Sequence, residues 1–266
     1  MTLFELFKNF FTHKDFLPPA SEIPGTMFTP LHFVFSAIMI ALVVSAAIFV
    51  ARLGEEKIRA VFTVLWATIV VLEAVKIVWE TVSGATVNFE WGGVLPLYPC
   101  SIFMYAMPLV IWGKGELRRA GCGYLCSLGL LGGSINFVYP ATILGNYSCI
   151  SFAGFHTFLY HGAIVFAALV VLISGYHTLG GVKKWWQLLV PAAPFFAVSV
   201  VANIVNFSKI GSDYMFFKLN SFIFAPIGAA LPDTVCVLIV YLAYLIIHVA
   251  PYLPSYIKNL KQRKDA

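Results

Sequence analysis

One cysteine and one histidine have the residue types and surroundings that covalent chemistry would need. Cys100 follows Pro96 and Pro99 in the apolar stretch 94–112, and His161 lies near the start of a later apolar stretch. Proline fits the first turn of a helix, where its missing N–H leaves no hydrogen bond unmade. The sequence therefore predicts that Cys100 lies within about one turn of a helix start, where the helix dipole favours a thiolate.

A thiol and an imidazole at the same depth of a membrane could act as the nucleophile and the general base of an acyl transfer. The imidazole of His161 would take the proton of the Cys100 thiol, the thiolate would attack an ester carbonyl, and an acyl thioester would form. The same imidazole would then activate the acceptor. The oxyanion of the intermediate could be held by Ser101, Tyr105 or Asn206.

The elements that must position these residues are membrane-spanning helices. Hydrophobic residues make up 60% of the 266-residue chain, charged residues only 11%, and the mean hydropathy is +0.88, which excludes a soluble domain. A helix needs about 20 mostly apolar residues to cross a bilayer. The predicted fold is all-α, with seven transmembrane helices at roughly 31–51, 60–80, 94–112, 119–139, 153–175, 186–206 and 232–250.

The basic residues orient this predicted bundle. The formal net charge is +5, and twelve of the 17 basic residues follow the first, third, fifth and seventh stretches. Cytoplasmic loops carry an excess of Lys and Arg, so we expect the N-terminus outside and the C-terminus in the cytoplasm, with no nucleic-acid partner. We expect an amphipathic interfacial segment over 1–30, the seven-helix domain over 31–250 and a basic cytoplasmic tail over 251–266.

Three charged side chains lie inside the second apolar stretch. Lys76 is three residues from Glu73 and four from Glu80, so the three share one helix face. Charges within a span usually face the bundle interior or a wet cavity. The cluster is therefore either a self-neutralised group near the outer interface or a polar contact for a substrate.

Other interpretations compete with a Cys–His site. Cys149 is predicted on the same side of the membrane as Cys100, so the two could form a disulfide, and the histidines could be interfacial or hydrogen-bonded core residues. Prolines within the apolar stretches could instead break helices around a transported solute, although one half of the chain does not repeat the other. A retinal protein would need a lysine in the last span, and 232–250 has none.

No metal or nucleotide cofactor is predicted. Cys122 and Cys126 are four residues apart, but no other ligand cluster accompanies them, so we expect buried structural thiols. The chain has no phosphate loop and no set of metal ligands at a recognised spacing.

Three short motifs resemble a known family. LPLYPCSIF at 95–103, FLYHG at 158–162 and GSDYMFF at 211–217 are similar to patterns of the YwaF-type family of bacterial integral membrane proteins. Those patterns read LPL-x-x-CS, F-x-x-HG and G-x-N-Y-M-(F/Y)-L, and their order matches across almost the whole chain. The family is similar to transmembrane protein 164, an acyltransferase of ether phospholipids, and more distantly to membrane hydrolases of fatty-acid esters of hydroxy fatty acids.

The resemblance implies a lipid acyltransferase or transacylase in a bacterial cell membrane, moving an acyl chain between a phospholipid and a lysophospholipid without a cofactor. Cys100 would be the acyl-accepting nucleophile and His161, in the HG pair, the general base. His156 and Tyr214 would contribute to substrate binding. Asp213 replaces the usual asparagine before Tyr214, a departure that bears on acceptor or acyl specificity. Water as the acceptor would make the protein a lipid hydrolase.

Overall fold

The structure, a computed structural model, describes residues 2–85, 95–179, 182–207, 213–219 and 224–264, whose regular elements are all helical. The all-α prediction is confirmed for these residues. The α-helices are α1 (Leu3–Lys8), α2 (Pro30–Val50), α3 (Glu55–Ser83), α4 (Ile102–Trp112), α5 (Glu116–Tyr124), α6 (Leu130–Val138), α7 (Ala141–Leu144), α8 (Phe152–Ile173), α9 (Ala193–Asn206), α10 (Ala225–Ala230), α11 (Asp233–Val249) and α12 (Leu253–Lys264).

Several helical stretches in the described residues are long and apolar enough to cross a membrane. A further crossing results if α11 and the start of α12, which are bent by 59° at their junction, are counted as one span. The chain is therefore an integral, multi-pass membrane protein. The five unbent candidates are Pro30–Val50, Glu55–Ser83, Glu116–Leu144, Phe152–Ile173 and Trp185–Asn206.

The predicted third span is shorter than the sequence suggested, so seven spans are not confirmed. Its helical part runs only from Pro99 to Trp112. At about 1.5 Å per residue this helix covers ~21 Å, against about 30 Å for the hydrocarbon core. Val94, the predicted start, lies outside the described residues, as do Gly211 and Ser212 of the third motif.

Helix α8 is the central helix of the bundle. In its most apolar window 67% of the residues are buried, against 22% in α2 and 11% in α3, so the latter two present most of their surface to lipid. Its start is fixed by Ser151, whose Oγ accepts the Gly154 N–H at 3.1 Å. Gly133 of α6 allows close packing on α8, since a Cβ there would lie 2.9 Å from Val165 Cγ2.

A π-helical segment, Leu125–Gly129, joins α5 to α6, and all five of its residues are buried. Ser127 in this segment donates to the Gly123 carbonyl at 2.7 Å and lies 2.7 Å from Nδ1 of His248 in α11. A π-turn holds one more residue than an α-turn and often occurs at functional sites. Here it changes the direction of the side chains and glycines that follow it in α6.

Candidate active site

Cys100 lies within one turn of a helix start, as predicted. It belongs to a 3₁₀ turn, Pro99–Ser101, that runs directly into α4. The hydroxyl of Tyr124 in α5 donates to the Pro99 carbonyl at 3.0 Å and so holds this turn against the neighbouring helix. The half-buried thiol of Cys100 lines a small cavity, together with Pro99, Tyr124, Gly129, Gly132, Gly133 and Ile164.

The disulfide alternative is wrong in this structure. Cys100 and Cys149 are both free thiols. Cys149 is buried in a separate apolar cluster with Phe137 and Phe158, and its Sγ lies 3.9 Å from the Leu31 carbonyl. Cys100 packs instead against the main core cluster.

His161 is held in one tautomer by its own helix. Its Nδ1 lies 2.8 Å from the carbonyl oxygen of Thr157, one turn earlier in α8. Because a carbonyl only accepts, Nδ1 carries the proton, and in the neutral ring Nε2 keeps its lone pair. Nε2 makes no hydrogen bond to any described residue. The half-buried imidazole therefore has the arrangement of a general base.

Cys100 and His161 approach the same part of the bundle from two sides. Ile164 lines the Cys100 cavity and lies three residues after His161 on α8, which places the two on neighbouring positions of one face. Gly133 also lines the cavity, and a Cβ on it would lie 3.2 Å from the His161 carbonyl oxygen. In the described residues no hydrogen bond joins the thiol to the imidazole, a contact that in unliganded enzymes often tightens only with substrate.

The charged residues of α3 form a paired cluster. Lys76 Nζ lies 3.0 Å from Glu80 and 4.0 Å from Glu73, which agrees with a self-neutralised group on one helix face. His156 joins this cluster, since its Nε2 lies 3.2 Å from the other carboxylate oxygen of Glu73. His156 is buried, and the Glu73 carboxylate gives its imidazole a charged partner inside the bundle.

The remaining predicted binding residues lie in different surroundings. Ser101 is buried beside Cys100, whereas Tyr105 is 42% exposed and its hydroxyl donates to the Pro96 carbonyl at 3.3 Å. Asn206 holds the backbone of Tyr214: its side-chain amide donates to the Tyr214 carbonyl at 2.8 Å and accepts the Tyr214 N–H at 2.7 Å. Neither Asn206 nor Tyr214 lines the cavity beside Cys100.

Comparison with protein families bears directly on this arrangement. A family profile described as the TMEM164 family matches residues 27–257, which is most of the chain and includes Cys100 and His161. The chain belongs to the TMEM164 family. Searches of curated proteins and of solved structures gave no match.

Sequence reasoning missed one residue of the site in this TMEM164-family protein. Tyr160 directly precedes His161 in the FLYHG motif, and its ring centroid lies 5.8 Å from those of both His156 and His161. Its buried hydroxyl makes no hydrogen bond to a described residue. The sequence signal that could have found it is a phenol hydroxyl inside an apolar span, because polar groups in membrane spans often mark functional sites.

Across the part of the chain that the structure describes, no group of three or more His, Cys, Asp or Glu side chains is placed to hold a metal ion. Cys122 and Cys126 are buried in the main apolar core.

Proposed function

We propose that this TMEM164-family protein is a membrane-embedded acyltransferase or transacylase. It moves a fatty acyl chain from a phospholipid to a lysophospholipid through an acyl-Cys100 intermediate. The observation that carries this proposal is the fixed tautomer of His161, whose unprotonated Nε2 lies on the helix that borders the Cys100 cavity. Membership of the TMEM164 family supports the same reaction, as does the resemblance of three motifs to the YwaF-type family, which is similar to an acyltransferase of ether phospholipids.

The first half-reaction loads the acyl chain onto the protein. His161 Nε2 takes the thiol proton of Cys100 as the sulfur attacks the ester carbonyl carbon, which forms a C–S bond and moves the carbonyl π electrons onto oxygen. Collapse of this tetrahedral intermediate re-forms the carbonyl and breaks the C–O bond to glycerol. The released alkoxide takes the proton from the imidazolium, and a lysophospholipid leaves.

The second half-reaction transfers the acyl chain from Cys100 to a different lipid by the reverse sequence of steps. The Nε2 lone pair of His161 takes the proton of an acceptor hydroxyl, whose oxygen attacks the thioester carbonyl of acyl-Cys100. The sulfur leaves and regains the proton from the imidazolium. An acceptor lysophospholipid makes the protein a transacylase, whereas water in the same position makes it a hydrolase.

The same proposal includes how the protein lies in its membrane. We place the chain in a bacterial cell membrane as a seven-span domain over 31–250, with an interfacial segment over 1–30 outside and the basic segment 251–266 in the cytoplasm. In this placement we expect the helix Pro99–Trp112, which is shorter than the hydrocarbon core, to start below the lipid surface. That depth suits a nucleophile whose target is the ester linkage of a neighbouring lipid.

The test is direct detection of the intermediate. Purified protein in nanodiscs is mixed with a phospholipid carrying a labelled acyl chain and with a lysophospholipid acceptor, and intact-mass spectrometry follows the protein. We expect an acyl adduct that neutral hydroxylamine removes, as it does a thioester, and that is absent in Cys100→Ala and His161→Ala. Cys149→Ser is the matched control, because Cys149 is also a free thiol but lies in a separate cluster.

The outcomes separate the rival functions. Label that appears in the acceptor lipid establishes the transacylase, and label that appears only as free fatty acid establishes the hydrolase. No adduct and no transfer across several lipid classes would reject acyl transfer and favour a transporter. An adduct that persists in Cys100→Ala would reject Cys100 as the nucleophile.

A further inference from the structure

Tyr160 has a buried hydroxyl without a hydrogen-bond partner among the described residues. The side chain is only 5% exposed, and its hydroxyl makes no hydrogen bond to any described residue. Buried tyrosine hydroxyls normally find a partner, and an unpaired one calls for an explanation. A hydroxyl with no partner in the part of the chain that the structure describes can donate to a group that enters the site.

Tyr160 lies directly before His161 on the helix that borders the Cys100 cavity, although its own side chain does not line that cavity. On α8, Tyr160 and Ile164 are four residues apart and therefore share a stripe, and Ile164 lines the Cys100 cavity. The Tyr160 ring packs edge-on against Phe103 of α4 at 6.2 Å and lies 5.8 Å from the His161 ring.

Of the donors considered for an oxyanion, Tyr105 and Asn206 are already occupied by protein hydrogen bonds. Tyr105 donates its hydroxyl proton to the Pro96 carbonyl and lies on the exposed side of α4. Asn206 donates its amide to the Tyr214 carbonyl. Tyr124 lines the cavity, but its hydroxyl donates to the Pro99 carbonyl. Each would have to give up a protein hydrogen bond in order to bind a substrate oxygen, whereas Tyr160 would not.

We infer that the Tyr160 hydroxyl is the oxyanion donor of the acyl-transfer site. This assignment rests on the proposed function. As the Cys100 sulfur adds to the ester carbonyl, the carbonyl oxygen gains the π electron pair and accepts a hydrogen bond from the Tyr160 O–H. When the intermediate collapses, the electron pair returns to the C=O bond and Tyr160 keeps its proton. A preorganised donor aimed at developing charge is among the largest single contributions to such reactions.

The test is the substitution Tyr160→Phe, which removes one oxygen and keeps the ring against Phe103. Acylation of Cys100 is followed by intact mass in nanodiscs, and thermal unfolding is measured on the same sample. We expect the acylation rate to fall by about 100-fold, with an unchanged KM for the donor lipid, because the hydrogen bond forms only in the transition state. The Tm should not fall, since no hydrogen bond to the protein is lost.

The matched control is Tyr176→Phe. Tyr176 donates its hydroxyl to the Val110 carbonyl at 3.1 Å, away from the Cys100 cavity, so its removal should lower the Tm and leave the acylation rate unchanged. A Tyr160→Phe protein that acylates at the wild-type rate would overturn the assignment while the proposed function stands. A rate and a Tm that fall together would show that Tyr160 is structural, which also overturns it. Absence of an adduct in wild type rejects the proposed function and the assignment with it.

Discussion

His156 Nε2 lies 3.2 Å from Glu73 Oε2, and this contact joins the central helix α8 to the charged face of α3. Glu73 is also 4.0 Å from Lys76, which in turn pairs with Glu80 at 3.0 Å. Charged groups in a membrane interior are stable only when they are paired or reach water. The four side chains therefore form one unit, and the loss of any member changes the surroundings of the others.

Substitution Glu73→Gln should destabilise the protein by about 2 kcal/mol. It removes the carboxylate that His156 and Lys76 share, and a buried group that loses its charged partner is destabilising. The loss is less than for an isolated pair because Lys76 keeps Glu80. Urea or thermal unfolding in a fixed detergent measures the change in the free energy of unfolding. Glu56→Gln, an exposed glutamate of the same helix, is the control and should leave the unfolding free energy unchanged within about 0.5 kcal/mol.

Two adjacent glycines in α6 should respond in opposite ways to alanine. A Cβ at Gly133 would lie 2.9 Å from Val165 Cγ2 and 3.2 Å from the His161 carbonyl oxygen, whereas a Cβ at Gly132 meets nothing within 4 Å. Gly133→Ala should therefore push α6 away from α8 and lower the free energy of unfolding by about 2 kcal/mol. Gly132→Ala should be neutral or stabilising by up to about 1 kcal/mol. Equal Tm values for the two variants would contradict the close packing of α6 on α8.

The π-helical segment should depend on a hydrogen bond between two helices. Ser127 lies 2.7 Å from His248 Nδ1, and both side chains are buried. A double-mutant cycle with Ser127→Ala and His248→Phe should give a coupling free energy of about 1 kcal/mol, because either single change leaves a buried polar atom without its partner. Additive effects in the cycle would mean that the pair does not stabilise the π-turn.

The N-terminal segment should detach from the bundle in acid. Asp15 accepts the Ala85 N–H at 3.0 Å, and this hydrogen bond holds the pKa of its carboxyl below the ordinary 3.8. A lowered pKa in the folded protein means that the stabilisation is fully present above the ordinary value and is lost as the pH falls through the lowered one.

Fluorescence of Trp79 can follow this detachment, since its Nε1–H donates to the Phe11 carbonyl at 2.9 Å. The difference between wild type and Trp79→Phe isolates this residue from the other tryptophans. Asp15→Ala, which removes the acceptor of the Ala85 N–H, should already show the detached signal at neutral pH. A wild-type signal that does not change below the ordinary pKa of an aspartate would argue against the contact.

Hydropathy was sufficient to predict the helical class and most helix positions, because an apolar run long enough to cross a membrane is stable there as an α-helix. The same reasoning overestimated the stretch 94–112, where the helix starts only at Pro99. The π-turn at Leu125–Gly129 has no hydropathy signature, since it shifts backbone hydrogen bonds by one residue and does not depend on the hydropathy of the side chains.

The contacts around the candidate site were also only partly predictable from the sequence. The pairing of Lys76 with Glu73 and Glu80 was predictable because all three lie on one helix at fixed spacing. The contact of His156 with Glu73 joins two helices far apart in sequence, and no local spacing encodes it. The importance of Tyr160 depends on a hydrogen bond that is missing, and only coordinates reveal such an absence among the described residues.

The self-pairing of the α3 charges also has a consequence for biogenesis. Lys76 has both of its carboxylate partners on its own helix, so a nascent α3 can leave the translocon for lipid with its ammonium group already neutralised. It does not have to wait for a later helix to be synthesised. His156 emerges from the ribosome only with α8, and its contact with Glu73 then forms between two helices that are already in the bilayer. The order of synthesis thus separates insertion of α3 from its docking to the central helix.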